Sequence, residues 1–319
     1  MAQHLVKPLA EPIIIIDWSP LSANQEQHVL RASLPVGGRT LTLYEEIHPR
    51  KVLGGREIQH RFLDKLKAYL PASCRPIIVA DAGFRVPFYR YVEQLEWHWV
   101  GRIRSRDFIA NTAAPEAWYA AALLHEKAKI KPFSVGVVNW VRKHPLLACV
   151  TIVRHALKHR HSLTLKKQLR QSKLSKVHAK REREPWLLVY SVSLKNRTPK
   201  QIVKIYKTRM QIEEGFRDSK SSTFGLGVCA LGRIGAARRA ILLLIAALSI
   251  FLLWIVGTIA ETSELARRER VNSSSKSASY SAIFMARLLM KRHRLKISKM
   301  QYGNALAQIK HYISEVLSA

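Results

Sequence analysis

Cysteine is scarce in this chain, with three in 319 residues at Cys74, Cys149 and Cys229 and no CxxC pair. That spacing excludes a zinc ribbon and a disulfide framework, and it fits a reducing compartment. Acidic residues are also few: 22 Asp and Glu stand against 53 Lys and Arg, a formal net charge of +31. A folded chain with that much like charge repels itself until a polyanion neutralises it. A nucleic acid is therefore the first expected partner and an anionic membrane surface the second. No internal repeat is found. The opening MAQHLVKPLAEPIIIID does not read as a secretory leader, because its apolar run is short and no small-residue cleavage site follows. With 48% hydrophobic residues, the chain can bury a real core in one large domain or two modest ones.

One long uncharged run is present. Residues 240–260 (AILLLIAALSIFLLWIVGTIA) follow Arg238 and Arg239 and have the length and hydropathy of a membrane span. A helix buried through the middle of a soluble core has the same signature. Elsewhere the pattern is α/β. Residues 12–17 (PIIIID) read as a buried strand ending in Asp17. Residues 27–34 and 39–46 read as a hairpin turning at PVGG, and 55–69 as a helix. Residues 76–81 (PIIVAD) form a second buried strand ending in Asp81, followed by a helix at 86–95 and a strand at 97–104. Residues 105–185 interrupt this layout. Between Arg154 and Arg183 they carry eleven Lys or Arg and one acid, which reads either as a solvated loop or as a DNA-contacting insertion, the second being favoured. WLLVYSVSL from Trp186 is a buried strand. Thr198-Pro199 then opens a long helix expected to run to about Lys220, Thr as cap and Pro at the first helical position. Two further helical stretches close the chain. The expected organisation is 1–104 and 186–260 as two parts of one core, 105–185 as a basic insertion and 261–319 as a helical region.

Two buried strands that each end in an aspartate place carboxylates at a sheet edge, where ligands gather in α/β folds. Either aspartate alone reads as a turn former or cap; a pair in one sheet suits Mg²⁺. The 198–220 helix adds Tyr206, Arg209, Glu213, Arg217 and Lys220, spaced 3, 4, 4 and 3. At about 100° per residue these fall within one arc of roughly 80°. Such a face is either a solvated ladder of ion pairs or a phosphate-gripping surface around one carboxylate. Glu214 lies off that face, so Glu213 is the better candidate. Together the pattern points to phosphodiester cleavage with two divalent ions. Asp17, Asp81 and Glu213 would be ligands, Mg²⁺ the metal and Mn²⁺ a substitute. Arg209, Arg217, Lys220 and Tyr206 would hold DNA.

The spacing Y-x2-R-x3-E-x6-K resembles the YREK signature of the IS-four family of DDE transposases. RTPKQIVKIYKTRMQIEEGFRDSK resembles its Tn-ten type. IIIIDWS and VADAGFRVPFY are similar to the family's two aspartate strands, and EPWLLVYSVSL to the strand before the YREK helix. The resemblance implies an RNase H-like mixed sheet flanked by helices, with a β-rich insertion. It also implies cut-and-paste transposition through hairpin ends and strand transfer, with double-stranded transposon-end and target DNA as partner. Trp186 matches a residue that stacks where a base has flipped out. A homodimer at synapsis, a bacterial cytoplasmic, nucleoid-associated location and no membrane partner follow, the 240–260 helix being expected to pack against the sheet. Family members carry a helical DNA-binding domain before the first aspartate. Sixteen residues precede Asp17 here, so that domain is expected to be lacking, and a remnant that only binds DNA is the alternative expectation.

Overall fold

The computed structural model describes residues 2–7, 9–21, 24–155, 184–222, 227–228, 232, 234–261, 281–292 and 296–315. In chain order they form α1 (Ala2–Val6), β1 (Ile13–Pro20), β2 (Gln27–Val36), β3 (Arg39–Pro49), α2 (Arg56–Tyr69), β4 (Ile77–Ala80), α3 (Val86–Gln94), β5 (His98–Arg102) and β6 (Phe108–Asn111). They continue as β7 (Tyr119–Ala120), β8 (Phe133–Trp140), β9 (Leu146–Val153), β10 (Trp186–Tyr190), α4 (Pro199–Lys207), α5 (Met210–Lys220), α6 (Ala236–Glu261), α7 (Ala282–Arg292) and α8 (Lys299–Ser314). The α/β class expected from the sequence is what forms, strands flanked by helices. The chain divides into two compact units, Met1–Ile78 with Thr208–Ala319, and Val79–Lys207.

In the first unit β2 pairs antiparallel with both β1 and β3. Ile13, Ile14, Ile15 and Ile16 are buried on both faces of β1, as the continuous isoleucine run requires. The β2–β3 hairpin turns at Gly37-Gly38, both at positive φ (49° and 87°), which a two-residue turn between twisted strands demands. Asp17 on β1 lies directly opposite Arg31 on β2, and Arg31 opposite Glu45 on β3. Helices α5 and α6 both pack on this sheet.

In the second unit six strands follow the order β5-β10-β9-β8-β6-β7, each neighbouring pair antiparallel. Four of them, β6 to β9, come from residues 105–185, so the interruption is β-rich. An aromatic cluster of Tyr89, Trp99 and Trp140 fills the space between α3 and the strands, with ring centroids 4.5–6.3 Å apart. Most of the basic run lies at 156–183, outside the described residues.

Two expectations change. The helix over 198–220 is not continuous: α4 ends at Lys207 and α5 starts at Met210. Between them the amides of Gln211 and Ile212 reach back three residues, to the Thr208 and Arg209 carbonyls. The buried positions Ile202, Ile205, Ile212, Phe216 and Ser219 keep helical spacing across this tightened turn, which is why the periodicity did not reveal it. The N-terminal reading holds: Thr198 Oγ1 accepts from the Gln201 amide, and Gln201 Oε1 from the Thr198 amide.

The second change concerns α6, which is buried on one face only. Leu243, Ala246, Ile250, Trp254 and Ile255 face inward, whereas Ile241, Leu244, Ile245, Leu248 and Leu252 are exposed among the described residues. By length and composition α6 could cross a membrane, and 33% of its apolar window is buried. Hydropathy measures how apolar a helix is and carries no information on how many neighbours it has. At its N-terminal end Arg239, 1% exposed, donates to the carbonyls of Leu21, Val228 and Gly232.

Candidate active site

The first unit brings Asp17, Arg209, Glu213 and Lys220 together. Asp17 sits where β1 stops being fully buried, its carboxylate 15% exposed, and its Oδ1 accepts from the Trp18 amide. The Arg209 guanidinium, at the entry to α5, lies between two carboxylates. Its Nη1 is 3.7 Å from Asp17 Oδ2 and its Nη2 2.8 Å from Glu213 Oε1. Further along α5, Lys220 Nζ donates to Ser19 Oγ (2.6 Å), two residues past Asp17 on the same side of β1. A strand carboxylate, a helix carboxylate and two cations thus converge over the end of β1.

Helix α5 is held there by groups that sequence reasoning missed. Arg31 is buried. It pairs with Glu45 Oε2 at 2.7 Å, lies 4.7 Å over the Phe216 ring, and donates to the Gly215 carbonyl and Ser219 Oγ. Gly215 lets the helix approach the hairpin closely, since a Cβ there would stand 2.3 Å from Thr40 Oγ1. The signal for Arg31 was present only as a lone basic residue in an alternating strand, where a charge is ordinarily taken to face solvent.

The remaining charges on α5 sort differently from the expected ladder. Glu213 pairs with Arg209, while Arg217 turns to Glu214 (2.8 Å). Glu214 and Asp218 also face Arg39, at 3.6 and 3.0 Å. Burial pushes the Asp218 carboxyl up to about 6, against the opposing pull of Arg39. His28, the β2 partner of Pro20, is held below its ordinary value by burial and then by Arg50 and Lys220.

Asp81, Trp186 and Tyr206 belong to the second unit. Asp81 follows β4, and its Oδ1 accepts from the Gly83 amide at 2.8 Å, a turn-forming contact. Tyr206 is buried and meets Trp186 edge to face with centroids 5.1 Å apart; His155 also meets Trp186, at 4.2 Å.

As a metal site, the first unit offers the right chemistry: two carboxylates close enough to share one cationic group, and oxygen donors suited to a hard divalent ion. Among the described residues no group of three or more His, Cys, Asp or Glu is gathered closely enough to hold a metal.

Residues 8–249 match the transposase DDE domain, and the chain belongs to that family. The RNase H-like α/β class, DNA as partner and transposition as the class of activity follow from that membership. No curated protein and no solved structure matches the chain.

Proposed function

We propose that this chain is the catalytic core of a cut-and-paste transposase of the IS-four, YREK-bearing type. It would nick double-stranded DNA and join the freed ends to a target in a metal-dependent reaction. The observation that carries the reading is the convergence of Asp17, Arg209, Glu213 and Lys220 over the end of β1.

Asp17, Asp81 and Glu213 are the residues that would hold the divalent ions, Mg²⁺ or Mn²⁺. When bound, such ions supply charge neutralisation at the scissile phosphate and a more acidic water or 3′-hydroxyl. The chain's own residues do the positioning. Arg209 presents a planar fork that matches two phosphate oxygens, and Lys220 a compact charge beside it. Arg217 adds an exposed cation further along α5. Tyr206 buttresses Trp186, fixing an aromatic platform for an unstacked base. A homodimer at synapsis and a bacterial cytoplasmic, nucleoid-associated location complete the proposal.

The test is nicking of supercoiled plasmid by the purified chain with Mn²⁺ or Mg²⁺. Asp17→Asn, Asp81→Asn and Glu213→Gln are each expected to reduce nicking by at least about a thousandfold, the scale on which removing an essential charge-stabilising group acts. Undiminished cleavage by any of the three would remove that residue from the assignment.

A second reading has its own observation. Arg209 already neutralises Asp17 and Glu213 internally, an arrangement that also suits a chain that binds DNA without cutting it. That reading predicts steeply salt-dependent binding with no metal-dependent product.

A further inference from the structure

We propose that a cavity wholly within the second unit is a binding site for the phosphodiester backbone of DNA, distinct in its residues from the carboxylate motif. The proposal rests on the reading of the chain as a protein that acts on DNA, and names where a second stretch of its backbone is held.

The cavity has a volume of about 280 Å³. This is at the small end of the roughly 300–1,000 Å³ typical of ligand sites, and it suits one phosphate and its sugar better than a stacked base pair. Its wall carries Arg85, Arg102, Arg104, Arg106, Arg142 and Lys143, six cations against the single acid Asp107. Asp107 Oδ2 accepts from the Arg104 backbone amide at 3.3 Å, so the carboxylate is turned into its own loop. Buried Phe84 and Trp140 form an apolar floor. Cations over a low-dielectric floor attract an anion more strongly than the same charges spread over open surface.

The loop that supplies two of these cations is held in a costly shape. Val141 and His144 have φ of 63° and 57°. For a β-branched residue such as Val141, the left-handed region is a genuine outlier. The conformation is fixed from three sides. The Val141 amide donates to the Phe108 carbonyl, Arg90 Nη2 donates to the carbonyls of His144 and Pro145, and the Arg142 guanidinium lies 3.8 Å over the Phe108 ring. Strain of this kind persists where surrounding structure over-determines it, commonly at ligand clamps. A guanidinium stacked on a ring, as Arg142 is on Phe108, uses its face for the stack and keeps its in-plane N–H donors for other partners, the geometry that recognises phosphate.

The experiment compares two triple variants of the full chain. One, R104Q/R106Q/K143Q, removes three exposed cations from the cavity wall. The other, K127Q/K129Q/K131Q, removes three exposed cations elsewhere on the same unit. Circular dichroism establishes that both fold. Fluorescence anisotropy with a labelled duplex is followed over a salt series without divalent metal. The cavity variant is expected to bind at least about tenfold more weakly than the control variant. Its salt slope should be shallower by about 0.9 for each phosphate that is no longer neutralised. Equal effects of the two triples would overturn the proposal, since charge alone would then account for binding.

A parallel titration with inorganic phosphate at constant ionic strength separates the two sources of the anion. If the cavity variant loses phosphate binding but keeps wild-type duplex affinity, the site takes a free anion and the DNA assignment fails. Plasmid nicking by the wild-type chain is scored separately. Cavity-dependent binding without nicking sinks the enzymatic reading and leaves the cavity site standing; nicking with an indifferent cavity variant does the reverse.

Discussion

Arg31 shows how a single buried cation can organise a site without touching the reaction. It is tied to Glu45, Phe216, Gly215 and Ser219, so it pins the helix that carries Glu213 to the strand that faces Asp17. Arg31→Met would leave Glu45 largely buried and uncompensated, which costs about 3–5 kcal/mol. Urea unfolding should show that loss, and adding Glu45→Gln should recover part of it. An effect of under about 1 kcal/mol would fit a solvent-exposed pair and contradict the buried geometry. Asp218 gives a pH-dependent counterpart. Its folded pKa of about 6 lies above the ordinary value of 3.8, so the folded state keeps the proton to higher pH. Its contribution to stability is therefore greatest below about 3.8, declines as pH rises to about 6, and is level above that. The charges facing it are Arg39, Glu214 and Arg217. Asp218→Asn is expected to flatten the pH–stability curve over this window.

Among the elements, α6 is the one whose environment the sequence described least well. Its buried side meets α7 so closely that a Cβ on Gly257 would stand 2.2 Å from the Ala282 carbonyl oxygen. Backbone cannot swing aside as a side chain can, so Gly257→Ala is expected to destabilise by about 1–3 kcal/mol. Thermal unfolding would register this as a lower Tm, and an unchanged Tm would mean that α6 and α7 are not in contact. The opposite face makes a contrasting prediction: Leu244→Lys should alter stability by no more than about 0.5 kcal/mol, because that side chain is exposed. Helix α6 was legible as a helix, since 21 uncharged residues leave little else. Its one-sided burial was not, because isoleucine and leucine occur all round it and give no amphipathic signal. The break between α4 and α5 was hidden for a related reason: a two-residue tightening preserves the spacing that pattern reading relies on.

At the scale of the whole molecule, a net charge of +31 dominates. Self-repulsion lowers the stability of the folded state, and screening relieves it. The Tm in dilute buffer is therefore expected to rise with added salt and with added duplex DNA, which neutralises the same charges by binding. A Tm that falls with moderate salt would show that attractive ion pairs, such as Arg209 with Glu213, outweigh the repulsion.

By itself the sequence determined the α/β class, the isoleucine-rich β1 strand that carries Asp17, the β2–β3 hairpin, the Thr198 cap and the acidic and basic residues of the α5 region, although β1 does not end at Asp17 as expected but stays paired with β2 as far as Pro20. These are local matters, written in runs of isoleucine, paired glycines and side-chain spacing within a few turns. Only the tertiary structure decided that Arg209 lies between Asp17 and Glu213, that Arg31 is buried beneath α5, and that cations from three separate loops line one cavity. The physical reason is distance along the chain. Asp17 and Glu213 are separated by nearly two hundred residues, and no periodicity in a chain records which of its distant charges folding will bring within a few ångströms of one another.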